Sequence, residues 1–349
     1  MTHARSPSRA ITSVADLVAE GLAAPADAPA LEEVGKAFRI RLSPAMRAAT
    51  LAPGDPVARQ FVPDARELTI RPEELADPIG DDTHLAAPGL THRYPDRVIL
   101  AVTKSCEVYC RFCFRRETVG ETGPLSEPDL AQALAYIAKT PAIREVILTG
   151  GDPLSLSPRR IEAILTRLAA IPTVETVRIH SRVPVVAPDR IDAAMTKALT
   201  AHPCLWLVLH TNHAQELTDA ARAALARLTA AGIPLLSQTV LLKDVNDSAE
   251  TLADLFRALI RLKVKPYYLH HCDLAPGTSH FRTTIAEGQK IMAALRGCIS
   301  GTCLPAYVLD IPGGFGKVPL TSDYLTEITP GRYLVRDPQG SHHDYADPA

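Results

Sequence analysis

Arg97-Val-Ile-Leu-Ala-Val-Thr103, followed by Cys106-Glu-Val-Tyr-Cys110-Arg-Phe-Cys113, is the stretch on which the reading of this chain turns. Its first half is apolar and β-branched, as a buried strand is. Its second half sets three cysteines in a C-x3-C-x2-C spacing directly beyond that strand. Soft thiolates crowded so closely select iron–sulfur clusters, zinc or copper. A cluster normally takes one protein thiolate per iron, so three local ligands leave one iron free to hold a reacting group. The rival readings are weaker. A redox pair of Cys110 and Cys113 leaves Cys106 idle, and c-type haem attachment needs His where Phe114 stands. Structural zinc needs a fourth ligand, usually from a second close pair, and Cys204, Cys272, Cys298 and Cys303 form none. The neighbours Arg111, Arg115, Arg116 and Glu117 do not resemble a core in which cysteines cluster by accident.

Outward from this stretch the chain repeats. Apolar runs recur at Glu145–Thr149, Thr176–His180, Leu205–His210, Pro234–Leu242 and Lys265–His270, spaced after the first interval at about 30 residues, the length of a βα unit. The intervening segments carry helical spacing: Ile161, Ile164, Leu165 and Leu168 share a face, as do Leu252, Leu255, Phe256 and Leu259. Ser126, Ser157 and Thr218 read as helix starts, and Gly232 before Pro234 as a stop. Strands alternating with helices predict a parallel sheet. Six units are too few for an eight-fold barrel and too regular for an order reversal. The expected fold is therefore α/β: a partial (β/α)6 TIM-like barrel over 97–312, with an N-terminal helical extension over 1–96 and a C-terminal covering segment over 313–349. Chemistry in such folds sits at the carboxyl ends of the strands, where the cysteines stand. The last residues, Ser341-His-His-Asp-Tyr-Ala346, are expected to be frayed, and His342 and His343 to be solvated rather than ligating.

Composition narrows the function classes. The chain has 349 residues, 46% hydrophobic content and a net charge of −2, with acidic and basic residues interspersed. Neither a nucleic-acid nor a membrane surface is expected from that balance, and no apolar run is long enough to span a bilayer. Met1–Ser6 leads into no apolar segment of a secretory signal. With an odd cysteine count, this predicts reduced thiols and a cytoplasmic location.

Taken together, the three cysteines after the first strand of a partial barrel resemble the radical S-adenosylmethionine enzymes. That resemblance implies a [4Fe–4S] cluster on Cys106, Cys110 and Cys113, with S-adenosylmethionine on the free iron. Gly150-Gly151-Asp152-Pro153 after the second strand resembles the superfamily's glycine-rich motif. By itself it would be an ordinary turn. A finer likeness, from about residue 40 to about 335, is to the lysine 2,3-aminomutase family. It is carried by Gly89–Arg97, Cys106–Arg116, Ile179–Arg182, His210-Thr-Asn-His213, Ser237–Leu242, Pro266–His270, Asp273 and Asp310-Ile-Pro-Gly-Gly-Phe-Gly-Lys317.

The likeness implies that Lys317 forms a Schiff base with pyridoxal 5'-phosphate. Read alone, Lys317 would sooner be a solvated surface lysine. A phosphate-binding P-loop is excluded, because Ile311 stands where its first glycine is needed and Val318 where Ser or Thr is. Arg93 and Arg97 match positions that contact the cofactor phosphate, and planar guanidinium forks suit that dianion. Arg182, His210 and Gln238, with Gly150, Gly151 and Asp152, are implied cofactor contacts. Arg115 matches the clamp on the substrate carboxylate, and Asp273 and Asp310 the pair that grips the distal ammonium of lysine. The activity implied is an isomerase that interconverts L-lysine and β-lysine. A 5'-deoxyadenosyl radical removes hydrogen from C3 and the amino group migrates from C2, with the electron coming from a reductase or flavodoxin-type donor. Phe112, Phe114 and Ile179-His-Ser-Arg182 are closer to the branch that modifies lysine for elongation factor P. The cysteines that bind structural zinc in the clostridial-type mutases are missing, with Ser248 in place of the barrel ligand, so a homodimer is expected rather than a zinc-linked tetramer. The alternatives are an accessory enzyme making β-lysine for that factor, a mutase for another amino acid, and an iron–sulfur electron carrier.

Overall fold

The computed structural model describes residues 9–120 and 123–348; the Met1–Ser6 segment lies outside them. A ten-stranded sheet runs in chain order without a reversal. Its strands are β1 (Leu85–Ala87), β2 (Leu90–Tyr94), β3 (Arg97–Thr103), β4 (Glu145–Gly150) and β5 (Thr176–Ser181), then β6 (Leu205–His210), β7 (Leu235–Leu241), β8 (Val264–His271), β9 (Ala306–Asp310) and β10 (Lys317–Pro319). From β3 to β9 every neighbouring pair is parallel, while β1, β2 and β10 attach antiparallel at the two edges.

The architecture is the expected α/β partial barrel, and all six expected strands are present. It has a seventh parallel strand, β9, which the sequence pattern did not reveal. That strand is only Ala306-Tyr-Val-Leu-Asp310, too short a run to stand out by periodicity. The N-terminal extension, expected to be helical, also contributes two strands, β1 and β2, to the sheet edge.

A helix follows each of β3 to β8, and their starts bear out the capping signals. Ser126, Ser157 and Thr218 each accept a hydrogen bond from the backbone amide three residues on, which satisfies an otherwise orphaned first-turn donor. Helix 158–169 buries Ile161, Ile164, Leu165 and Leu168, and helix 249–261 buries Leu252, Leu255, Phe256 and Leu259. These apolar stripes lie against the outward face of the sheet, where Val98, Leu100, Val146, Leu148, Val177 and Ile179 are fully buried. Burying a side chain of this size stabilises by about 1.5–3 kcal/mol, so the core lies between sheet and helices. The alternate positions along the same strands are only half-buried, because they face a cavity inside the curved sheet.

Beyond β10, the strands β11 (Leu325–Thr329), β12 (Arg332–Arg336) and β13 (His342–Ala346) form a separate antiparallel sheet. The expectation of a frayed end is thus corrected. His342–Ala346 pairs along its length with β12 although all of its residues are exposed, so backbone hydrogen bonds rather than burial define it. His343 Nε2 lies 2.8 Å from Asp337, and both His342 and His343 are exposed, as expected. Among the described residues no helix is long and apolar enough to cross a membrane.

Candidate active site

The cavity inside the sheet has a volume of about 820 Å³ and runs from the strand starts at Arg97, Glu145 and Thr176 to the loops beyond their carboxyl ends. Its wall includes Cys106, Cys110, Cys113, Arg93, Arg97, Arg115, Gly150, Gly151, Asp152, Arg182, His210, Gln238, Asp273, Asp310 and Lys317. Residues separated by most of the chain are thus brought to one space by the order of the strands.

The cysteine loop is held from behind by the N-terminal extension. Tyr109 N–H donates to Arg41 O, and Arg111 N–H to Gln60 O, both at 2.9 Å. Arg111 turns away from the cavity and makes a bidentate pair with the fully buried Glu67 (3.0 and 2.6 Å). Arg116 reaches the same carboxylate while its guanidinium stacks on Phe38. With Arg111 and Arg116 directed backward, the three thiols are left facing the cavity. All are free, and all have their pKa pushed up, Cys113 to about 11, chiefly by burial. Among the described residues no three His, Cys, Asp or Glu side chains converge closely enough for a single metal ion. A cluster spreads its thiolates over separate irons, and three free thiols from one loop lining one cavity are a donor set that fits it. Arg182 Nη1 lies 2.9 Å from Cys110 Sγ, with its other nitrogen on Glu216 (2.7 Å) and Gln60 (2.5 Å).

Opposite the loop, β4 ends in Gly150-Gly151. Gly150 has φ +107°, and a Cβ there would lie 2.5 Å from Thr103 O; a Cβ on Gly151 would lie 2.3 Å from Ser105 O. No side chain fits between this turn and the cysteine loop, so the two backbones close on each other. Asp152 is saturated within the protein. Its carboxylate accepts from Leu154 N–H, Ser181 O–H, Arg182 N–H and Val183 N–H, and so ties β4 to the end of β5.

Deeper in the cavity His180 and His210 stack edge to face at 5.5 Å. Burial lowers both imidazoles, His210 to about 3, so both are neutral. Their Nε2 atoms, with Arg93 Nε, have no partner. Gln238 stands beside His210 in register. A cavity this large, with several orphaned polar atoms, suits a polar ligand, since such groups cost free energy when left unpaired.

At the far edge, Lys317 begins β10, and its N–H donates to Tyr94 Oη at 2.9 Å. The Arg97 guanidinium lies 4.1 Å above the Tyr94 ring, which sets Arg97 and Lys317 in one corner. Arg93 and Arg115 are both paired with Asp81, at 3.2 and 2.6 Å. Lys317 Nζ is 2.5 Å from Asp310 Oδ2 and 3.2 Å from His270 Nδ1, while His270 Nδ1 and Asp310 Oδ2 are 3.0 Å apart. Burial works to raise the Asp310 carboxyl, but the His270 hydrogen bond and the Lys317 ammonium outweigh it and hold Asp310 well below the carboxylate range. Burial, then Asp310, pushes Asp273 the other way, to about 7.

Four residues central to this geometry were not singled out by the sequence reading: Glu67, Asp81, Glu216 and His270. Glu67 and Glu216 do carry a local signal, each closing a capping box, but that motif speaks only to a helix start. Asp81 carries none.

The chain is similar to known proteins over most of its length. The sequence profile of the radical SAM superfamily matches residues 100–256, and that of lysine-2,3-aminomutase matches residues 292–349. The L-lysine 2,3-aminomutase of Fusobacterium nucleatum is 42% identical, covering 84% of this chain and 69% of its own length. That of Clostridium subterminale is 42% identical over 85% of this chain and 71% of its own. The glutamate 2,3-aminomutase of Clostridioides difficile is 35% identical over 89% and 74%.

Proposed function

Because the chain belongs to the lysine 2,3-aminomutase family of radical S-adenosylmethionine isomerases, we propose that it interconverts L-lysine and β-lysine and depends on pyridoxal phosphate for the migration. The observation that carries the choice of lysine is the ammonium at Asp310. Lys317 is itself a lysine side chain, and its Nζ sits 2.5 Å from that carboxylate, with Asp273 facing the same cavity. A corner that holds one primary ammonium suits the head of a lysine substrate. The side-chain carboxylate of glutamate would instead meet two acids of its own sign, and removing any of these charges from water needs an opposite partner.

In this reading Cys106, Cys110 and Cys113 hold the cluster, and the backbone at Gly150 and Gly151, with Asp152, Arg182, His210 and Gln238, bounds the space for S-adenosylmethionine. Arg93 and Arg97 hold the phosphate of pyridoxal phosphate, and Lys317 anchors its aldehyde. Arg115 clamps the substrate carboxylate, leaving Asp273 and Asp310 for the ammonium. When bound, the cluster and S-adenosylmethionine supply a carbon radical and pyridoxal phosphate the conjugated system across which an amino group moves. The protein's part is to fix the substrate at both ends, so that C3 faces the radical source, and to exclude water.

Electrons are proposed to come from a reductase or flavodoxin-type donor. A homodimer is supported by the sheet β11–β13, whose outer strands are exposed throughout; three short strands without a buried face are marginal alone. Seven unpaired cysteines suit a cytoplasmic, reducing location.

The test is anaerobic reconstitution with iron, sulfide, S-adenosylmethionine and pyridoxal phosphate, followed by separate incubation with lysine, arginine, glutamate and alanine. Amino-acid analysis by mass should find β-lysine from lysine alone. Preferential turnover of glutamate or alanine would refute the substrate, and turnover of none would refute the free amino acid as substrate.

A further inference from the structure

Three largely buried groups meet at the edge of the cavity with one proton too many for the chemistry that follows: Lys317, His270 and Asp310. An ammonium is not a nucleophile, so Lys317 must lose a proton before it can bond to an aldehyde. The groups beside Nζ are Asp310 Oδ2 (2.5 Å), His270 Nδ1 (3.2 Å) and the ring of Tyr268, whose centroid is 5.2 Å away. Asp310 is a poor acceptor, since the Lys317 ammonium it faces at 2.5 Å favours its ionised form. The imidazole remains.

We propose that His270 is the general base that deprotonates Lys317 for covalent attachment of pyridoxal phosphate; the inference rests on the reading of Lys317 given above. For the transfer the Lys317 ammonium donates to both Asp310 Oδ2 and His270 Nδ1 (2.5 and 3.2 Å); His270 is then the neutral Nε2–H tautomer, and its 3.0 Å approach to Asp310 becomes a hydrogen bond only once Nδ1 carries the proton. An N–H bond of that ammonium breaks, the proton bonds to His270 Nδ1, and the freed electron pair on Nζ attacks the aldehyde carbon. The new Nδ1–H then donates to Asp310 Oδ2, already 3.0 Å away, so the imidazolium is formed against a carboxylate. The proton on the ring and one from the amine leave with the aldehyde oxygen as water, which returns His270 to its neutral form.

The surroundings suit the transfer and its reversal. Burial lowers Lys317 although Asp310 opposes it, so this ammonium gives up its proton more readily than a solvated one. Burial also lowers His270, which keeps the resting imidazole free to accept, and Asp310 again opposes the shift. Asp273 and Arg93 act on Lys317 with opposite signs, and Tyr268 lies edge to face with the imidazole at 5.5 Å. Across the cavity His180 and His210 are neutral. Asp310 thus faces the positive charge before and after it moves from Nζ to the ring.

The experiment uses the full chain with its cluster reconstituted and pyridoxal phosphate removed. The cofactor is added back from about pH 6 to about pH 10, and attachment is followed by its absorbance and by borohydride trapping with peptide mapping. Wild type should attach at Lys317 across the range. His270→Gln keeps a side chain able to bond Asp310 but supplies no base. Its attachment rate should fall at least tenfold near pH 7, in line with the roughly 10²-fold or greater effect of general bases, and should recover as pH rises and when imidazole is added. A His270→Gln rate equal to wild type at every pH, or a deficit that neither alkali nor imidazole relieves, would overturn the assignment. Wild type that attaches the cofactor nowhere, or at a residue other than Lys317, would instead overturn the cofactor reading on which the assignment rests.

Discussion

Glu67→Gln should destabilise the protein and loosen the cysteine loop, although Glu67 touches neither the cavity nor any cysteine. Its side chain is 0% exposed and pairs with Arg111 and Arg116, themselves 2% and 4% exposed. Removing one partner of such a buried pair costs about 3–5 kcal/mol, because the remaining charge is left uncompensated in a poorly solvating interior. Here two guanidinium groups lose the same counterion. Gln retains one acceptor oxygen, enough for the bond now made by Asp64 N–H or by Arg111 Nε but not for both arginines. An entropy of unfolding of about 2.1 cal/mol/K per residue, over 349 residues, gives roughly 0.7 kcal/mol/K, so the melting temperature should fall by roughly 4–7 °C. The assay is calorimetry under anaerobic conditions, paired with the rate at which Cys106, Cys110 and Cys113 are alkylated in the cluster-free protein. That rate should rise in the variant. Glu33→Gln, which removes an exposed pair with Lys36, is the control and should leave both readings unchanged. A Glu67→Gln protein with native melting temperature and native alkylation rates would refute the claim that the N-terminal extension holds the loop through this carboxylate.

Gly151→Ala should impair cluster assembly. Its Cβ would lie 2.3 Å from Ser105 O, and overpacking of this kind costs about 1–3 kcal/mol, relieved here by displacing the loop that carries Cys106; iron and sulfide content after reconstitution should drop, and full content would count against the fit of the two backbones. Lysine binding should weaken as pH falls below about 7, the value to which burial and Asp310 push Asp273. Below it the carboxyl is neutral and loses its attraction for the substrate ammonium, so KM should rise toward acid. Asp273→Asn should raise the lysine KM at least about tenfold at neutral pH and flatten that dependence; a wild-type KM in the variant would move the ammonium site elsewhere.

Much of the fold was legible in the chain, because its signals are local. A run such as Arg97–Thr103 is apolar whatever its neighbours do, and the serines and threonine that start three of the helices act within one turn. The C-x3-C-x2-C stretch likewise announces its chemistry by spacing. β9 escaped because a five-residue run has too little periodicity to declare itself, and β13 because a strand exposed on both faces needs no apolar alternation. Lys317 and the aspartates needed family likeness to be noticed, since each taken singly is an ordinary surface type.

Local patterns were enough to specify the repeated strand–helix unit and the three thiols at the end of its first strand. They were silent on which charges share a space. Glu67 is drawn to Arg111 and Arg116, Asp81 to Arg93 and Arg115, and His270 to Lys317, by strand order and by the docking of the N-terminal extension, across separations that no short motif encodes. The depth at which each ionisable group is buried, and the partner it meets there, exist only once the chain has folded. The free energy of a buried charge depends on those two quantities.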